Sequence, residues 1–175
     1  VRQQQRQWDR ETRVCATIGL DADLLVALRE LIEQNEMGPV EAQALVCFET
    51  VSRRTGRTGL FMKMAGADMK AVTQAVVVTP TRLVWAQRED EGEPHAHTAW
   101  LDQLDVSDYE KSPAAHLISD RGLQVHGIES SGEIGTLFFG FGEGPDADHA
   151  RRVLKDAVRA AHGEGPVPGA DLAAR

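Results

Sequence analysis

The run from Thr73 to Arg88, TQAVVVTPTRLVWAQR, constrains this chain more than any other stretch. Ala75-Val76-Val77-Val78 is a β-branched run too short for a helix, and Leu83-Val84-Trp85-Ala86 is a second apolar run of the same kind. Both read as buried strands. Between them, Thr79-Pro80-Thr81-Arg82 is turn chemistry, because proline fixes φ near the value that the second turn position needs. Gln87 and Arg88 are expected to leave the strand for solvent.

Further strands are expected around this hairpin. Ala44 to Glu49 is a strand with two largely apolar faces, prolonged by Thr50-Val51-Ser52. His97 to Leu101, a polar strand Val106 to Lys111 carrying Tyr109, and His116-Leu117-Ile118 follow. Leu123 to Ile128 alternates cleanly, and Leu137 to Phe141 reads as the last buried strand. Glycine, proline and acidic residues punctuate the spaces between them.

Two helices flank the strands. Leu24, Leu25, Leu28, Leu31 and Ile32 share one helical face behind Asp21, a good N-cap, and Asn35 to Gly38 ends the helix. That stripe must bury itself, either on the rest of the chain or on another copy. Near the other end, Ala150, Val153, Leu154, Ala157, Val158 and Ala161 form a second stripe. Asp146 and Asp148 stand near its start, and Gly163 is a fitting stop. Residues 1 to about 15 are polar and helix-compatible, with Trp8, Val14 and Cys15 as scattered apolar points. The expected organisation is a helical extension over 1–38, a β-rich domain over 39–163 and a flexible tail over 164–175.

At 175 residues the chain can bury roughly 70% of its unfolded surface and needs neither metal nor disulfide to hold it. A net charge of −8 argues against general binding to nucleic acid or to an anionic membrane. Cys15 and Cys47 lie in apolar segments and read as reduced core thiols. No apolar run approaches a membrane span, and no basic-then-apolar signal pattern opens the sequence, so the cytoplasm is the expected compartment.

Some seven short strands closed by one helix imply a partly open antiparallel β-barrel with a helical plug. The stretches AVVVTPTRLVWAQ (75–87), TAWLDQLDVSDYE (98–110), RGLQVHGIE (121–129) and GTLFFGFG (135–142), with the helix from about Asp146, resemble a bacterial pleckstrin-homology-like domain of the PH and GRAM kind. The resemblance covers about residues 40–162. It implies a non-enzymatic module that binds proteins or lipid headgroups and often self-associates. It also implies that the loop after the first barrel strand is the place for basic lipid-binding residues.

That loop, 52–70, holds Arg53, Arg54, Arg57, Lys63 and Lys70 against Asp68, with Leu60, Phe61, Met62 and Met64 beside them. Arg53, Arg54, Arg57, Leu60, Phe61, Met62, Lys63 and Lys70 are therefore the candidate residues for a protein partner, a second copy or an anionic lipid. Other chemistry finds less support. Gly140-Phe141-Gly142-Glu143-Gly144 sits between a strand and a helix, where a phosphate turn belongs, but Glu143, Asp146 and Asp148 would repel a pyrophosphate. His95 and His97 share one side of a strand, two groups where zinc wants three or four. No catalytic set, metal site or cofactor is expected.

Overall fold

The computed structural model describes residues 8–55, 70–116, 120–130, 132–166 and 168. The fold is mainly β, with two antiparallel sheets and two helices. The first sheet is ordered β1 (Trp8–Val14), β2 (Val46–Arg54), β3 (Ala71–Val78), β4 (Arg82–Glu89), β5 (His95–Trp100). The second is β6 (Asp105–Asp108), β7 (Gly122–Ser130), β8 (Glu133–Gly140). Helix α1 (Ala22–Gln34) falls between β1 and β2, and α2 (Pro145–Ala161) follows β8.

The central hairpin forms as the sequence predicts. Val78 pairs with Leu83, and the Thr79 side-chain oxygen accepts the Arg82 N–H at 2.9 Å to close the turn. Ala75 to Val78 and Leu83 to Ala86 are all buried, because each face of this sheet has a cover. On one face Val76, Val78, Leu83 and Trp85 join α2 and the second sheet in the main core. On the other, Ala75, Val77, Val84 and Ala86 meet Leu24, Leu25 and Leu28 of α1. Strands covered on both sides need apolar residues at every position, hence the unbroken runs.

The α1 stripe thus packs on its own chain. Asp21 caps the helix, accepting the N–H groups of Asp23 (3.1 Å) and Leu24 (3.3 Å). Arg88, expected in solvent, instead pairs with Asp21 (2.8 Å) and Asp23 (2.7 Å). The buried Glu49 accepts the Asp21 N–H at 2.6 Å and Arg13 at 3.1 Å, which pins the helix start to β2.

The expected helical character of residues 1–15 does not survive from Trp8 onward. Trp8–Val14 is a strand paired with β2 from Trp8↔Arg54 to Val14↔Phe48. Its exposed residues are Asp9, Glu11 and Arg13, alternating with covered Trp8, Arg10, Thr12 and Val14. A long-range ladder overrides a weak local helix preference here. The N-terminal segment is accordingly the outer strand of the first sheet rather than a helical extension. Other boundaries also move. The strand expected from Ala44 begins at Val46, and that expected over Val106 to Lys111 stops at Asp108. Tyr109–Lys111 and Pro113–His116 are 3-10 turns in place of strand, and 117–119 lie outside the described residues.

Among the described residues the sheets do not close into a barrel. They meet at two corners. At one, Gly127 has a φ of +93°, and a Cβ there would lie 2.2 Å from the Gln103 carbonyl oxygen, so only glycine lets β7 press on the turn before β6. At the other, the Gly142 N–H donates to the Thr12 hydroxyl at 2.9 Å.

Helix α2 seals the apolar end between the sheets. Ala150, Val153, Leu154, Ala157 and Val158 are buried as the stripe requires. Asp108 at the end of β6 fixes the helix: Lys155 lies 2.9 Å away, and Arg151 and Lys111 each 3.1 Å. Arg151 also binds Glu110 at 2.7 Å.

Candidate functional site: a polar cleft and a free strand edge

The inner face of the first sheet changes character along its length. Val46, Phe48, Val76, Val78, Leu83 and Trp85 make the half that α2 covers. Two to four residues further along the strands, positions on that same face turn polar: Ser52 on β2, Gln74 on β3, Gln87 and Glu89 on β4, and Arg10 on β1. No residue of α2 lines this stretch of the face. A cleft of about 410 Å³ remains there, walled on the far side by Tyr109, Leu137 and Phe138.

Arg10 closes one end of the cleft. Its Nε donates to the Ser52 hydroxyl at 3.1 Å and its guanidinium pairs with Asp120. The group also lies 5.4 Å from the Phe138 ring centroid and 5.8 Å from that of Trp8. A Cβ on Gly140 would collide with this guanidinium, so the glycine makes room for it. At the floor, Gln74 is only 7% exposed and donates from its amide to Gln87 Oε1 at 3.4 Å. Phe138 meets Tyr109 edge-on at 5.1 Å between centroids.

Of the residues singled out in the sequence, Arg53 and Lys70 are exposed and Arg54 is half-buried at the rim of the first sheet. The Arg54 N–H donates to the Lys70 carbonyl at 2.8 Å, so all three stand together. Asp90 stands there too, accepting the Lys70 and Ala71 N–H groups at 2.9 and 2.8 Å. Arg57, Leu60, Phe61, Met62 and Lys63 lie outside the described residues. Sequence reasoning missed Arg10, Ser52, Gln74, Gln87 and Asp120. For Gln74 and Gln87 a signal existed: each is a polar residue at an inward position beside the most apolar runs of the chain.

The sheets also leave edges, and they differ. Strand β1 guards its edge with Asp9, Arg10, Glu11 and Arg13. The end of β8 runs into the β1 corner, which leaves Glu133 to Thr136 exposed, with Ile134 81% exposed. Strand β5, HAHTAW, carries no Asp, Glu, Lys or Arg, and among the described residues it pairs only with β4. Leu101 donates its N–H to the Thr81 carbonyl at 2.9 Å. By two-residue alternation His97 and Ala99 face β4, and Ala96, Thr98 and Trp100 turn their backbone groups outward. The Trp100 side chain is 43% exposed, with the Arg82 guanidinium 3.4 Å above its ring.

Burial pushes the Cys47 thiol up to about 12, and burial raises that of Cys15 as well. His97, stacked 5.3 Å from Trp85, is pushed down by burial and by neighbouring His95. Among the described residues no three His, Cys, Asp or Glu side chains gather as a metal site. No helix there is long and apolar enough to cross a membrane. Comparison with protein-family models, with curated proteins and with solved structures gives no match.

Proposed function

We propose that this chain is a non-enzymatic interaction module of the pleckstrin-homology-like kind that pairs with a second copy of itself along β5. What carries the reading is the contrast between the two edges of the first sheet. One is studded with charge and the other has none. Proteins protect sheet edges that must stay single, most often with charged residues, and leave bare those that pair. Two copies meeting antiparallel at β5 would join their sheets about a two-fold axis through main-chain hydrogen bonds, with each Trp100 covered. The strand order, two splayed sheets followed by a sealing helix, supports the pleckstrin-homology-like assignment. Burial keeps the Cys15 and Cys47 thiols protonated, which speaks against thiol chemistry at either one.

Anionic lipid is the second reading, supported by Arg53, Arg54 and Lys70 standing together at the rim. Asp90 among them, and Glu89 on the adjoining strand end, weaken it.

Light scattering on the eluting protein tests the first reading. Wild type is expected at twice the chain mass. Thr98→Pro removes an outward N–H and keeps the main-chain bonds to β4, giving up only the Thr98 hydroxyl's bond to the Leu83 carbonyl (3.2 Å), so it is expected to elute at the single-chain mass with its fold intact. Ile134→Lys on the other exposed edge is expected to leave the pair in place. A wild type that stays single at every concentration, or a Thr98→Pro that stays paired, would overturn the reading.

A further inference from the structure

We propose that the polar cleft binds a neutral, planar nitrogen heterocycle of the nucleobase class, read by the Gln74 and Gln87 carboxamides. The site is on the inner face of the first sheet and does not depend on pairing through β5.

Three observations carry the assignment. First, the floor has hydrogen-bonding capacity that the fold does not use. A carboxamide can donate twice and accept twice. Gln74 and Gln87 stand opposite each other on neighbouring strands and share one long bond of 3.4 Å. Among the described residues neither side-chain amide meets another partner. Gln74 is nonetheless more than nine-tenths buried, and it lines the cleft. Donors and acceptors left side by side in a covered place call for a ligand edge that alternates them in the same way. A lactam or aminopyrimidine edge does so, and a glutamine amide is a standard partner for adenine.

Second, the walls fit a flat ring. Phe138, Tyr109 and Trp8 line the cleft together with Val72 and Leu137. Aromatic side chains take the faces of bases whatever their sequence. A volume of about 410 Å³ is in the range of small-molecule sites and is ample for one ring system.

Third, the electrostatics exclude a phosphate. Among the described residues the only cation lining the cleft is Arg10, and it is already matched by Asp120 and packed beside two rings. Glu89 adds a carboxylate to the lining. A phosphorylated ligand would bring negative charge to a place with no uncommitted cation among the described residues, so the free base or nucleoside is favoured over the nucleotide.

Calorimetric titration of the full chain with adenine, hypoxanthine, uracil, adenosine and AMP tests the proposal. One-to-one saturable binding of at least one base is expected. Gln87→Leu keeps the side-chain volume at a half-buried position and is expected to weaken it at least about tenfold. Phe138→Leu removes the ring while keeping apolar bulk, and is expected to weaken binding several-fold. Should one variant fail to fold by circular dichroism, the other still decides. AMP is expected to bind at least about tenfold more weakly than adenosine, with charge repulsion as the cause. No saturable binding of any base by the wild type at millimolar concentration would overturn the proposal. So would a folded Gln87→Leu with unchanged affinity, or a preference for AMP.

Discussion

Leu154→Ala is expected to lower the unfolding free energy by about 3–5 kcal/mol, read from urea denaturation. Leu154 has no exposed surface and sits in the stripe of α2 that fills the space between the sheets. Truncation there removes transfer free energy and leaves a cavity whose walls come from several elements, so no single one can collapse into it. Small domains are stable by only about 5–15 kcal/mol, which makes this a large fraction of the whole. Val26→Ala, on the wet side of α1 at 55% exposure, is the contrast and should stay within about 0.5 kcal/mol of wild type. Equal costs at the two sites would mean that α2 does not seal the core.

The second large effect depends on pH. Burial works to raise the Asp108 carboxyl, but the ion pairs with Lys155, Lys111 and Arg151 outweigh it and bring the group down to about 2. A depressed carboxylate stabilises the fold above its unfolded value of 3.8, and the contribution is lost as pH falls through about 2. Asp108→Asn is expected to cost about 2 kcal/mol near neutral pH, because it also leaves the mostly buried Arg151 with a weaker partner. The gap between wild type and variant should shrink below about pH 4 and vanish only once the pH is well below 2. Urea titrations across that range check it, and a gap independent of pH would remove the carboxylate from the explanation.

How much of this was legible in the sequence follows from where each residue finds its partners. The central hairpin was legible because both of its faces are covered, so its apolar runs need no periodicity to betray them. The two helices were legible because their stripes and caps are local: Asp21 meets N–H groups two and three residues on, and the buried α2 positions repeat with the helical turn. Strand β1 was not. Its two central inward positions are Arg10 and Thr12, polar residues made acceptable by Ser52, Asp120, Thr50 and Gly142, all distant in sequence. A periodicity of hydrophobicity cannot register a buried arginine whose neutralising partner is 110 residues away.

The same reason hid the cleft. Gln87 reads as the end of a strand entering solvent, and the structure instead turns it inward toward Gln74, past the reach of α2. One sheet face thus serves two ends. Where the inward side chains are apolar, the helix covers them and the core is dry. Where they are polar, no α2 residue lines the face, and the recess that results is the cleft proposed to take a ligand. The loop at 52–70 was picked out by its basic composition and by its place in the pleckstrin-homology resemblance, and the candidates among its described residues, Arg53, Arg54 and Lys70, lie beside Asp90 rather than in an isolated basic patch.

A map of nuclear Overhauser contacts from the α2 methyl groups tests this division most directly. Methyls of Val153, Leu154 and Val158 are expected to reach β1, β2 and the turn at Leu101–Gln103, and none to reach the Gln74 or Gln87 side-chain amides. Contacts from α2 to those amides, or no contacts from α2 to the first sheet at all, would contradict it.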